Sequence, residues 1–211
     1  MSKMQRKNGM EKKFWRFKLN TATIILIPAA IGINYLGKLF ADLLQLPLWL
    51  DSIGTCLAAF VAGPIVGAIV GAAINIIYGL TRNPLSTVYA LTNVVIAVVV
   101  ALFAHKGYFQ NIRKAVFLGI IVGILSTVVS APLNLLLKGG APEGFVGKAV
   151  LSLCQTQGFP EWIALLCEVL IVDIPDKILT IVSVYAVGRG LPESLLDLYQ
   201  AADEAELSSL E

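Results

Sequence analysis

The chain has 211 residues, of which 57% are hydrophobic and only 14% are charged, against about 25% charged residues in ordinary soluble domains. This composition, with a mean hydropathy of +0.79, excludes a disordered chain, a coiled coil and a nucleic-acid-binding protein, and disfavours a soluble enzyme. The net charge of +2 conceals an uneven distribution, because seven of the 16 basic residues lie before residue 19 and six of the 14 acidic residues lie after residue 190. The composition therefore predicts an integral membrane protein.

The charge distribution divides the chain into three parts. Residues 1–18 form a basic segment, residues 19–190 are sparsely charged, and residues 191–211 form an acidic tail. We expect the middle part to be the transmembrane domain and the two flanking segments to be cytoplasmic. The sequence assigns no function to the acidic tail.

Six apolar segments are candidates for spans, which need about 20 mostly apolar residues each. The second and third are short and are separated only by Gly63 and Pro64, so they are predicted to form a helical hairpin. The sequence thus predicts an all-α membrane protein with six transmembrane helices in one bundle. The predicted spans are 20–44, 50–62, 64–80, 86–104, 115–137 and 162–188.

The basic residues predict the orientation of the chain in the cell membrane. An even number of spans places both termini on one side, and the basic N-terminal segment assigns that side to the cytoplasm. The loop after the fourth span, with Lys106, lies on the same side. Trp15 is predicted at the inner interface, and Trp49 and Trp162 at the outer one, as in an aromatic belt.

Small residues recur every four positions along the third span and again in the fifth. Such spacing lets helix backbones approach closely in lipid. Two interpretations remain open, which are packing within one bundle and a docking face for another membrane subunit. The residues are Gly63, Gly67, Gly71, Asn75 and Gly79, followed by Gly119 and Gly123.

The sequence lacks the motifs of common enzymes. Gly147 and Lys148 resemble the end of a phosphate-binding loop, but Pro142 stands where the first glycine is needed and Ala149 where a hydroxyl residue is needed. No HExxH motif, paired cysteines or nucleophile–base pair occurs in the sequence. We expect neither catalysis nor a cofactor nor a metal on this chain.

Polar residues at membrane depth are costly in lipid and are expected to face the bundle interior. One group lies toward the predicted outer face, where aromatic rings, amides and single charges predict a small-molecule pocket open to the outside. The predicted substrate-binding residues are Trp49, Asp51, Arg82, Asn83, Tyr89, Asn93, Asn134, Trp162 and Glu168.

Several of these polar residues have a second interpretation. Asp51 precedes Ser52 and is also suited to capping a helix N-terminus. Asn75 is also suited to a purely structural role, in which it forms a hydrogen bond between helices. Arg82 is also suited to the position of a solvated surface residue. Glu168 is the hardest to explain structurally, because it lies roughly 9 Å inward of Trp162 at about 1.5 Å per helical residue.

A second polar group, predicted to lie deeper, comprises Asp173, Asp176 and Lys177. Asp173 and Lys177 have the spacing and order of a helical ion pair. The alternative is that this group relays occupancy of the outer pocket to a cytoplasmic partner.

Four segments of the chain resemble the substrate-binding S components of energy-coupling factor (ECF) transporters. Residues 48–55 (LWLDSIGT) and 62–68 (AGPIVGA) are similar to the second and third spans of that family. Residues 80–84 (LTRNP) and the run 176–189 are also similar, so the resemblance covers most of residues 20–190.

The resemblance implies a subunit that binds a vitamin, a vitamin precursor or a similar micronutrient without transforming it. It implies as partners a transmembrane coupling protein and two ATPase subunits, and a ligand site enclosed by the loop after the first span and by spans four to six. It also implies toppling of the bound subunit to release its cargo inward. The family's AxxxA docking pattern in the first span has no strict match, because Ala30 is followed four residues later by Asn34.

Two other classes of function fit the same residues. A membrane sensor or scaffold would use its intramembrane polar residues to regulate a partner. A small stand-alone secondary transporter would use Glu168 and Asp173 as proton or cation sites, and its uptake would depend on pH or sodium without ATP.

Overall fold

A computed structural model describes residues 20–138 and 144–192, and this part of the chain is all-helical, without strands. The basic segment 1–18 and nearly all of the acidic tail lie outside the described residues. This part of the chain also contains two 3₁₀ helices, Pro84–Tyr89 and Tyr108–Gln110. The α-helices are α1 (Thr21–Leu43), α2 (Ile53–Ala62), α3 (Pro64–Thr81), α4 (Ala90–His105), α5 (Ile112–Lys138), α6 (Gly144–Thr156) and α7 (Glu161–Gly190).

Local sequence explains where several of these helices begin and end. The side chain of Asn20 accepts a hydrogen bond of 2.7 Å from the backbone N–H of Thr23 and thereby caps α1. Gly63, with a φ of 88°, ends α2 in a conformation that favours glycine, and Pro64 occupies the first turn of α3. The predicted hairpin of α2 and α3 is therefore present.

Four helical segments of the described chain are long and apolar enough to cross a membrane, which supports a membrane protein. Two predicted spans are not among them. α2 has 10 residues and is about 15 Å long at about 1.5 Å per residue, half the thickness of a bilayer core. α7 has 30 residues but carries several charges. The four segments are Thr21–Leu43, Pro64–Thr81, Pro84–His105 and Ile112–Leu137.

Helix α6 was not predicted from the sequence. It lies between the fifth and sixth predicted spans and packs against α7. A helical signal is nevertheless present, because Val146, Val150 and Leu153 recur at helical spacing. The 13-residue helix is too short to be found by searching for spans.

The glycine-rich faces of α3 and α5 pack within the bundle. A Cβ atom on Gly119 would lie 2.6 Å from the Cα atom of Ile178 in α7. A Cβ atom on Gly67 would lie 2.6 Å from that of Ala59 in α2. At these positions the small residues allow close helix contact, as the packing interpretation predicts, and they are covered by neighbouring helices of the same chain.

Candidate ligand cavity

A cavity of about 860 Å³ lies at one end of the helical bundle. Its walls come from the C-terminal parts of α1, α3 and α5, the N-terminal parts of α4 and α7, helix α6 and the loop 44–52. A volume of this size is typical of small-molecule sites, which span about 300–1,000 Å³. The predicted topology assigns this end of the bundle to the outer face.

The structure brings together seven of the nine residues predicted to bind substrate. The other two do not line the cavity. Arg82 is exposed at the C-terminal cap of α3, and the side chain of Trp162 is 57% exposed. The seven lining residues are Trp49, Asp51, Asn83, Tyr89, Asn93, Asn134 and Glu168.

Sequence reasoning left out the cavity residues that α1 contributes. Lys38 and Asp42 lie in the last turns of this otherwise apolar helix and line the cavity. The hydroxyl of Tyr78 donates a hydrogen bond to Asp42, and the ammonium of Lys38 lies 4.7 Å from the centre of the Tyr78 ring. A lysine within an apolar span was itself a signal of a functional position.

Asp51 lies between two lysines of different helices. Its carboxylate is 3.5 Å from Lys38 Nζ and 3.6 Å from Lys177 Nζ. Lys177 also contacts Asp176 at 2.5 Å and donates a hydrogen bond of 2.9 Å to Ser52 Oγ. The N-cap of α2 is Ser52, so the interpretation of Asp51 as a helix cap is wrong.

Asp176 holds the loop 44–52 against α7. Its Oδ1 atom accepts hydrogen bonds from the backbone N–H groups of Trp49, at 3.0 Å, and Leu50, at 2.9 Å. Leu50 has a φ of 48° and Gln45 a φ of 51°, a region that non-glycine residues occupy at a cost of about 1–3 kcal/mol each. The loop therefore keeps a strained conformation that its contacts with α7 help to maintain.

Asp173 does not form the predicted helical ion pair with Lys177, because Lys177 contacts Asp176 and Asp51 instead. Asp173 accepts a hydrogen bond of 3.0 Å from the indole N–H of Trp49. The indole of Trp49 thus points toward α7 inside the bundle. Asp51 and Lys177 lie 3.6 Å apart in one cluster, so the predicted outer and deeper polar groups are not separate in the structure.

Two hydroxyl groups of α5 complete the surroundings of Asp173. Thr127 Oγ1 lies 3.3 Å and Ser130 Oγ lies 3.4 Å from Asp173 Oδ2. With the Trp49 indole, these neutral groups surround a carboxylate whose residue is only 4% exposed. Asp173 is therefore a buried acid on the cavity wall.

Helices α4 and α5 contribute amide groups to the cavity. The hydroxyl of Tyr89 donates a hydrogen bond to Asn134 Oδ1. Asn93 lines the cavity, and within the described part of the chain its Oδ1 atom has no hydrogen-bond partner. Asn75, by contrast, is satisfied by Gly71 O at 3.0 Å and Ser86 Oγ at 3.2 Å, which fits a structural role.

Glu168 lies on the cavity wall beneath helix α6. The residue is buried, and a Cβ atom on Gly147 would lie 2.2 Å from its Oε1 atom. Only glycine lets the backbone of α6 lie this close to the carboxylate. Helix α6 thus covers Glu168 and closes one side of the cavity.

Comparison of the chain with protein families, with curated proteins and with solved structures found no match in any of the three.

Proposed function

We propose that the chain is the substrate-binding S component of an ECF-type importer. In this role it captures a vitamin, a vitamin precursor or a similar micronutrient from outside the cell. The observation that carries the proposal is the cavity of about 860 Å³, lined by charged and amide side chains at one end of an apolar helical bundle. The resemblance of residues 48–55 and 62–68 to S components supports the same conclusion.

The proposal includes six membrane crossings with both termini in the cytoplasm. In addition to the four long apolar segments, α2 forms a short crossing with the loop 44–52, and α7 is the sixth span. The charges of α7 are compatible with a span because Glu168, Asp173, Asp176 and Lys177 are all buried in the bundle. The basic segment 1–18 supports the cytoplasmic location of the N-terminus.

In the proposed mechanism the protein binds its cargo but does not transform it. The ligand enters from the outer face and lies among Trp49, Asn93 and Glu168, with the loop 44–52 over it. Movement of this loop requires the two backbone hydrogen bonds to Asp176 to rearrange. Delivery into the cell then depends on a transmembrane coupling protein and two ATPases on other chains.

Co-purification tests the proposal. The protein is tagged at its C-terminus, extracted from its native membrane in a mild detergent, and the bound proteins are identified by mass spectrometry. We expect two ATPases and a helical coupling protein, and we expect the Asp42→Asn variant, changed at an exposed position, to recover the same partners. Recovery of a signalling kinase in their place would contradict the proposal and favour a membrane sensor.

A further inference from the structure

We infer that the cavity selects a cationic ligand, with a positively charged nitrogen placed against Asp173. This inference rests on the proposed function in one respect, which is that the cavity holds a small molecule. It goes further because it names the charge of that molecule and the residue that recognises it.

The first argument is that Asp173 has no direct ion pair. Its hydrogen-bond donors are the Trp49 indole and the hydroxyls of Thr127 and Ser130, which are neutral. Within residues 20–138 and 144–192, no lysine or arginine nitrogen lies within 4.0 Å of its carboxylate. A buried carboxylate without a direct ion-pair partner is costly, especially at membrane depth. A ligand cation supplies that partner.

The second argument is that the neighbouring lysines are already neutralised. Lys38 is paired with Asp51, and Lys177 is paired with both Asp51 and Asp176. These two lysines and two acids form a cluster with no net charge. Asp173 is a further buried acid beside this cluster. An anionic ligand could pair with one of the two lysines only by displacing an ion pair of the cluster.

The summed charge of the cavity wall also favours a cationic ligand. Among the residues that the structure describes, the lining has four acidic side chains and three basic ones, so its formal charge is negative. The acidic side chains are Asp42, Asp51, Glu168 and Asp173, and the basic ones are Lys38, Lys148 and Lys177.

The third argument is the presence of buried oxygen atoms that need donors. Asn93 Oδ1 and Thr92 Oγ1 belong to cavity-lining residues that are 2% and 8% exposed, and neither atom has a hydrogen-bond partner in the described part of the chain. Most buried polar atoms in native proteins are hydrogen-bonded. The amide oxygen of Asn93 can only accept, so it requires an N–H or O–H donor from the ligand. An amine or amidine carries such donors together with its positive charge.

Three probes of similar shape test the inference on the purified full-length protein. Tryptamine is cationic at neutral pH, tryptophol is neutral and indole-3-acetate is anionic, and their binding is measured by calorimetry and thermal shift. We expect tryptamine to bind at least about tenfold more tightly than the other two, a difference of about 1.4 kcal/mol.

Two variants link this preference to Asp173. Asp173→Asn keeps an oxygen that accepts from Trp49 but removes the charge, so the preference for tryptamine should disappear. Its ligand-free melting temperature should be no lower than that of the wild type, because a buried charge without a direct ion-pair partner has been removed. Lys114→Gln removes an exposed charge near the N-terminus of α5, outside the cavity lining, and it should change the preference by no more than about twofold because exposed charges are screened.

Three results would overturn the inference. They are absence of tryptamine binding, equal or tighter binding of tryptophol or indole-3-acetate, and a tryptamine preference that persists in Asp173→Asn. Each leaves the S-component proposal intact, because that proposal depends on the partner proteins. A preference for tryptamine in a protein that lacks coupling partners would support the cation site and contradict only the S-component role.

Discussion

Replacing Asp176 by alanine is expected to lower the free energy of unfolding by about 3–5 kcal/mol, the usual cost of breaking a buried ion pair. Asp176 is fully buried, and its Oδ2 atom lies 2.5 Å from Lys177 Nζ. Its Oδ1 atom accepts from two backbone N–H groups, and a hydrogen bond to a charged group contributes about 1.5–3 kcal/mol. These contributions overlap because one carboxylate makes all the contacts. In the Asp176→Ala variant, Lys177 retains its ion pair with Asp51, at 3.6 Å, and this limits the loss of stability.

The measurement is a reversible titration with sodium dodecyl sulfate in mixed micelles. Asp176→Asn is the matched control, and it should lose less stability because its amide oxygen can still accept from the loop. Fluorescence of Trp49, recorded with Trp15 and Trp162 replaced by phenylalanine, reports on the loop and should shift to longer wavelength in Asp176→Ala. A loss below about 1 kcal/mol, within the range of one ordinary hydrogen bond, with unchanged Trp49 emission would refute the assigned role.

Three further substitutions test the packing and the cavity. Gly54→Ala should destabilise the protein by about 1–3 kcal/mol or more, because its Cβ atom would lie 2.0 Å from the carbonyl oxygen of Ala30. The control Gly32→Ala should not destabilise it, because a Cβ atom there would have no neighbour within 4 Å. Equal stabilities of the two variants in the detergent titration would contradict this packing. Glu168→Ala should weaken binding of the small molecule recovered with the protein by about tenfold or more, as measured by calorimetry. This is the scale of a lost hydrogen bond to a charged group. An unchanged affinity would show that Glu168 is not part of the site. Trp162→Ala should leave that affinity unchanged within about twofold, because Trp162 is 57% exposed and lies outside the cavity lining. A large loss of affinity in the same assay would show that the site extends beyond the cavity.

Local sequence was sufficient to predict much of the helical architecture. The long apolar segments predicted α1, α3 and α5 to within three residues at each end, and the largest difference is at the start of α5, which begins at Ile112 instead of residue 115. The hairpin of α2 and α3 followed from Gly63 and Pro64, whose backbone preferences are local properties. These features depend on composition and spacing over short stretches of chain, which a single sequence contains.

The candidate site was harder to predict because it depends on contacts between distant parts of the chain. Trp49 and Asp176 are separated by 127 positions, and no local pattern shows that the loop 44–52 folds onto α7. Helical spacing favoured an ion pair between Asp173 and Lys177, but the tertiary contact with Asp51 provides Lys177 with another partner. Lys38 was detectable in principle, since a charge inside an apolar span indicates a functional position.

Uptake into proteoliposomes distinguishes an ATP-dependent S component from a stand-alone transporter. The protein is reconstituted alone, or with the coupling protein and ATPases recovered from its native membrane, and uptake of the small molecule that co-purifies with it is measured with and without ATP. We expect uptake only when the protein, its partners and ATP are all present. Uptake by the protein alone in vesicles without ATP would contradict the S-component role.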